Sequence, residues 1–302
     1  MKKSGIYLAL YYISIILAAV YLYRYGSVSF NRFNIDLSLF ISVFFLTAGF
    51  FTYPLSLKMV LDSQNTGVSY KSSFLLLGNT IFSKYIPGKV AMIYSIAYRL
   101  NKENRSGMAA NTYGVLLFKF IIIISGLITG FFTVALIKNI SPYIKIASLG
   151  LIMTGLAFMI SKKAFVIFSK AASFILKKEI ILRALNFRIL IKTIAVSVLF
   201  WILWGLGIYY FVDSLGIELQ NSSALIFIYP FSICVGILAF IFPGGIGIRE
   251  GVLAALIVAT GNELAPAAEI SVLSRIWFLS GEIIFFLISI LFSYIAKKSG
   301  QE

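Results

Sequence analysis

The chain has 302 residues, of which 60% are hydrophobic and only 12% charged, with a formal net charge of +15, one cysteine and no histidine. Soluble domains carry about 25% charged residues, so this composition excludes a water-soluble globular protein. It equally excludes an intrachain disulfide, a Cys/His metal site and histidine acid–base chemistry. The positive balance suits loops facing anionic headgroups, and no soluble segment remains to build a nucleic-acid-binding domain. The fold class expected is an all-α polytopic membrane protein.

In chain order, the first apolar run covers 5–23 behind Lys2 and Lys3. It is too long for a signal-peptide core and lacks a small-residue cleavage site, so it reads as a retained helix. Further spans are expected at about 37–60, 108–137, 144–160, 193–213 and 268–296, each near the roughly 20 apolar residues that cross a bilayer. With the first, that makes six. Two more tracts, about 72–100 and 222–260, are apolar but interrupted by Pro87-Gly88 and by Pro243-Gly244.

Charge decides how those tracts run. Basic residues collect in cytoplasmic loops. The stretch 161–192 carries eight Lys/Arg and one Glu, and 99–107 contributes Arg99, Lys102 and Arg105. Loops 214–222 and 261–267 hold no Lys or Arg. If each interrupted tract is a re-entrant helical hairpin, every basic loop and both termini fall in the cytoplasm. Counting the first tract as a single crossing strands the basic block outside. The hairpin topology gives two halves with one element order in opposite orientation, the pattern of an inverted repeat. The expected boundaries are 1–143 and 144–302, with 161–192 as a basic amphipathic cytoplasmic linker. IPGKV at 86–90 against FPGGI at 242–246 is a short echo between the halves.

Broken helix in lipid persists only where it faces protein or a wet cavity. The stretch Pro243, Gly244, Gly245, Gly247, Arg249, Glu250 therefore points to a site. Glycines admit close backbone approach, a new helix start near Gly247 offers N–H groups to an anion, and Arg249 matches phosphate oxygens. The bland alternative is a proline kink with a charge pair. At the first break, Lys84 and Lys89 can reach the tip or snorkel to the surface. Arg275 and Glu282 in the last span and Lys119 in the 108–137 span are costly at depth and need partners. Glu250 with Arg275 and Lys119 with Glu282 are the expected pairs, serving either neutralisation or a proton or substrate path. The tryptophans, Trp201, Trp204 and Trp277, read as packing or interface anchors.

FPGGIGIREG (242–251), SRIWFLSGE (274–282) and the upstream SKYIPGKV (83–90) together resemble the lysylphosphatidylglycerol synthase transmembrane family, over essentially the full chain. The resemblance implies Pro243, Gly244, Gly245, Gly247, Arg249, Glu250 and Arg275 as motif residues, with Pro87, Gly88 and Lys89 upstream. It implies movement of an aminoacylated phospholipid or a lipid-linked sugar between leaflets of a bacterial or archaeal cytoplasmic membrane. No aminoacyl-transfer domain follows before Glu302, which argues against lysyl-lipid synthesis by this chain. The expectation is a lipid flippase without enzymatic activity, cofactor or metal. Its headgroup ligands would be Arg249, Lys89, Lys84, Arg275 and the glycines, with Glu250, Glu282 and Lys119 for charge balance or proton coupling. Anionic membrane lipids are the expected partners, with room for a second copy or an envelope-biosynthesis protein. A secondary transporter of a small anion, or a scaffold for a glycosyltransferase complex, would be the alternatives.

Overall fold

The computed structural model describes residues 35–64, 66–85, 90–104, 107–161, 185–239, 245 and 247–298, together with 163, 166 and 170. Among them the chain is almost wholly helical, with no strand. The helices are α1 (Leu37–Ser63), α2 (Tyr70–Thr80), α3 (Val90–Asn104), α4 (Met108–Leu136), α5 (Pro142–Ile160), α6 (Phe187–Ser214), α7 (Leu225–Leu238), α8 (Ile248–Ala259) and α9 (Leu264–Lys298). Short 3-10 turns follow α2 (Ile81–Tyr85) and precede α7 (Ser222–Ala224).

Five of these, α1, α4, α5, α6 and α9, are long and apolar enough to cross a membrane. They coincide with five of the six expected spans. The sixth, 5–23, lies outside the described residues, as does nearly all of 162–184 within the expected linker. Polar caps start several helices. Asp36 accepts the Leu39 N–H at 2.9 Å, Ser69 that of Ser72 at 3.0 Å, and Asn186 that of Arg188 at 3.0 Å. Each takes up one of the amide donors a helix start leaves open.

The centre of the molecule is the crossing of α1 with α6. Lipid gives apolar helices no hydrophobic reason to associate, so small residues and interhelical hydrogen bonds set the contact. Gly49 of α1 lies against the Trp204 indole, where any Cβ would overlap the ring. Ser42 Oγ donates to the Gly207 carbonyl at 2.7 Å, and Ser56 and Ser197 share a 3.0 Å hydrogen bond. Trp204 Nε1 donates to the Leu46 carbonyl at 3.2 Å, and Trp277 Nε1 of α9 reaches Ser42 Oγ at 2.8 Å. Each buried tryptophan N–H here has its acceptor, as an amphipathic ring requires.

The remaining contacts come in pairs. α4 packs on α7 and α9 on α2; α6 on α7 and α1 on α2; α8 on α9 and α3 on α4. α7 packs on α8 and α2 on α3; α4 on α6 and α9 on α1; α1 on α4 and α6 on α9. Exchanging α1 with α6, α2 with α7, α3 with α8 and α4 with α9 maps each contact onto its mate, and the α1–α6 crossing onto itself. α5 packs on α4; its counterpart would be the run 5–23, outside the described residues.

Several loops share one end of the molecule. Ser38 Oγ at the start of α1 donates to Asp213 at the end of α6 at 2.5 Å. Asn262 and the Gln220 backbone exchange two hydrogen bonds, at 2.7 and 3.1 Å, and Asn139 donates to the Ala259 carbonyl at 3.2 Å. The two loops without Lys or Arg are therefore tied together. It follows that α7 leaves that end and α8 returns to it. At the other end Gly114, in the second turn of α4, lies against Leu61 near the end of α1, which sets the start of α2 and the end of α3 on one side. The outer ends of each interrupted tract thus lie on one side, and the breaks between them, 86–89 and 240–244, lie outside the described residues.

Candidate functional site

Six charged side chains from three helices and one turn gather around α9. Lys84 comes from the turn after α2, Lys119 from α4, Arg249 and Glu250 from the start of α8, and Arg275 and Glu282 from α9. At 1.5 Å per residue, Arg275 and Glu282 fall about 16 and 27 Å along a helix more than long enough to span. Each would cost at least about 2.5–3.5 kcal/mol in hydrocarbon without compensation. That cost dictates what surrounds them.

α9 supplies one face. Arg275, Phe278 and Glu282 stand at spacings of three and four and so lie in a row. Arg275 Nη1 donates to Glu250 Oε1 at 2.5 Å, the pair expected from the sequence. Glu282 is fully buried and forms an ion pair with Lys84; Lys119, expected as its partner, instead donates to the Tyr53 hydroxyl at 2.5 Å. The reason is the turn at Ile81–Tyr85, which carries Lys84 onto α9. The Phe278 ring between the two α9 charges takes both Lys84 Nζ, 5.2 Å from its centroid, and the Arg249 guanidinium at 5.0 Å. One row on α9 thus touches both hairpins.

Arg249 is 7% exposed. Its Nη2 donates to the Tyr229 hydroxyl at 2.6 Å and its plane lies 5.1 Å from the Tyr229 ring centroid. Its Nε has no hydrogen-bond acceptor among the described residues. Lys119 rests against Tyr53 and Phe118, at 5.2 and 5.3 Å from the ring centroids. Aromatic faces attract a cation without neutralising it. Neither Arg249 nor Lys119 has a carboxylate within ion-pair distance among the described residues. Among the described residues of the cluster, four cations stand against two carboxylates.

The backbone at the second break explains its glycines. Gly245 has φ +70°, a conformation that costs an L-residue roughly 1–2 kcal/mol. A Cβ there would also stand 2.7 Å from the Gly236 carbonyl oxygen of α7. Gly236 in turn lies against the Cβ and backbone of Arg249. The chain folds back on α7 through two residues without side chains, and this sets Arg249 against Tyr229. Gly247, at φ +84°, is the N-cap of α8, and its N–H donates to Glu250 Oε2 at 2.7 Å. The helix start expected to be open to an anion is therefore capped by Glu250, which holds Gly247 with one oxygen and Arg275 with the other. A glutamate three residues after the cap is the position from which a side chain reaches back, so the sequence carried that signal.

Of the other expected site residues, Pro87, Gly88, Lys89, Pro243 and Gly244 lie outside the described residues. Tyr53, Tyr229 and Phe278 belong to the site and had no distinguishing mark in the sequence. Among the described residues no group of His, Cys, Asp and Glu could hold a metal ion.

With this geometry in view, the chain matches the family described as Lysylphosphatidylglycerol synthase TM region over residues 7–280. The chain belongs to that family. The match reaches past Arg275 and Phe278 and stops two residues short of Glu282. It identifies a multi-pass membrane protein from a lipid-related family. No curated protein matches the chain.

Proposed function

We propose that the protein is a lipid flippase, moving an anionic, phosphate-bearing lipid between leaflets of a cytoplasmic membrane. The observation that carries this reading is Arg249: buried, held by Tyr229, and, among the described residues, with its Nε–H open and no carboxylate within ion-pair distance. A fixed guanidinium with a spare donor in a water-poor site is the group expected for a phosphate oxygen. Lys84 and Arg275, the more exposed members at 32% and 26%, would open the site toward a headgroup. Only that headgroup needs a polar path, because acyl or prenyl chains can stay in the bilayer.

The paired helix contacts support an inverted repeat, with α1 and α6 crossing on its pseudo-two-fold axis and the hairpins entering from opposite faces. Alternating access would be a rocking of the hairpins against α4 and α9 around the charged cluster. Among the described residues, Lys84–Glu282 joins the first hairpin to α9 and Glu250–Arg275 the second, and release of either pair would loosen that hairpin. Glu282 and Glu250 are the groups in reach to take up protons when their partners leave.

Lipid mass spectrometry on the gently extracted protein tests the reading. An anionic phospholipid or lipid-linked glycan should be enriched over bulk membrane lipid, and Arg249→Ala should abolish the enrichment at normal protein levels. A co-purifying lipid pool equal to bulk membrane in both proteins would remove the ground for a headgroup site.

A further inference from the structure

α4 carries both α5 and α7, and a crevice of about 160 Å³ opens between the three. Phe120, Ile124 and Leu127, at spacings of four and three, form its floor on one face of α4. Leu151 and Thr154 of α5 make one wall, and Leu238, the last residue of α7, makes the other. Gly155 brings α5 onto the floor, since a Cβ there would overlap the Ile124 side chain.

The lining decides what can enter. Among the described residues that line the crevice, Thr154 alone has a polar side chain, and its hydroxyl donates to the Gly150 carbonyl at 2.7 Å. A buried water needs about two to four polar partners, and an apolar cavity of about this size stays dry and takes a hydrocarbon. Both α4 and α5 are long and apolar enough to cross the membrane. Leu151 is the central residue of α5, and Phe120 to Leu127 straddle the middle of α4. Leu151 and Thr154 are exposed, so the crevice opens sideways at mid-height, where the surrounding medium is hydrocarbon chain.

The crevice also adjoins Arg249. Gly236 of α7 lies against the Cβ and backbone of Arg249. Leu238, two residues on, stands about 200° further round the helix and lines the crevice. The last turn of α7 therefore has Arg249 on one side and the crevice on the other.

On the flippase reading above, we infer that this crevice holds one hydrocarbon chain of the lipid whose phosphate Arg249 binds. The lipid lies across the end of α7, with its head on one side and a chain on the other. A chain held at mid-height stays in place while the headgroup passes between leaflets, so the crevice is the fixed point about which the lipid turns.

Photocrosslinking tests this in phosphatidylcholine vesicles that carry the full chain and a trace of phosphatidic acid with a diazirine midway along one acyl chain. Crosslinks should concentrate on Phe120, Leu151 and Leu238 over Ile146 and Met153, which are exposed on α5 outside the crevice. Arg249→Ala should lower the crevice crosslinks about tenfold, the value of one charge-assisted contact, and leave those at Met153 unchanged. Thr154→Phe, which fills the mouth, should abolish the crevice crosslinks while enrichment of anionic lipid on the purified protein persists. Met153→Phe should change neither. Crevice crosslinks that keep full strength in Arg249→Ala or Thr154→Phe would mean that bulk lipid labels these residues. A dimer that Thr154→Phe splits, with no crevice crosslinks in the parent, would give the crevice to a second copy. Either result overturns the inference, and anionic-lipid enrichment that still depends on Arg249 would leave the flippase reading standing. Neither crevice crosslinks nor enrichment in the parent would overturn both.

Discussion

At the scale of single residues, the site is an exercise in compensating charge. Breaking a buried ion pair by removing one partner is far more costly than removing both. Lys84→Met alone takes the ion-pair partner from the fully buried Glu282 and should cost about 3–5 kcal/mol of stability. The double variant Lys84→Met, Glu282→Met should recover most of that loss, seen as a Tm nearer the parent's. A double variant as unstable as the single would mean that the pair is not what holds Lys84 in place. Tyr229→Phe removes an acceptor from a buried guanidinium and should cost about 1–3 kcal/mol. Arg249 itself was legible in the sequence because an arginine beside a proline-glycine break has few explanations in a membrane. The aromatic residues of the site were not. In a chain with 28 Phe and 17 Tyr, nothing in the order of residues separates a ring that carries a cation from one that fills a core.

Secondary-structure elements show the same division. Apolar runs bounded by charge gave the long helices, because length and hydropathy are local properties of the chain. The Glu250–Arg275 pair could also be read, since α8 and α9 are consecutive and short connections keep them adjacent. The Lys84–Glu282 pair joins residues 198 apart, and the register of the first hairpin on α9 is a tertiary fact. The second break yields a prediction that separates strain from collision. Gly245 and Gly247 both have positive φ, but only Gly245 faces a backbone carbonyl; a Cβ on Gly247 meets nothing within 4 Å. Gly247→Ala should therefore lose about 1–3 kcal/mol from conformation alone. Gly245→Ala should lose more, because the carbonyl of Gly236 must also move. Thermal unfolding of the two variants side by side checks the order, and equal losses would show that the fold-back against α7 is not tight.

At the scale of the whole molecule, transport by two opposed halves depends on where the hairpins begin and end. By loop charge, both ends of the first interrupted tract are expected in the cytoplasm and both ends of the second outside. Impermeant thiol labelling in a Cys234→Ala background checks this directly. Glu218→Cys and Glu263→Cys should label in intact cells, whereas Glu103→Cys should label only after the membrane is opened. Labelling of Glu103→Cys from outside would turn the first hairpin into a crossing and dissolve the inverted repeat. The expected topology rests on loop charge, a long-range pattern that needs no contacts. Loop charge could not carry the α1–α6 crossing, which depends on Gly49 meeting Trp204 across 155 residues of chain.

The central claim is that a buried arginine at a broken helix moves a phosphate-bearing lipid across the membrane. Translocation in proteoliposomes tests it most directly, with a labelled anionic lipid whose exposure in the outer leaflet is followed over time. The intact protein should accelerate exchange between leaflets, and Arg249→Ala, reconstituted at the same density, should fall to the rate of protein-free vesicles. Unchanged translocation by a folded Arg249→Ala protein would contradict the account.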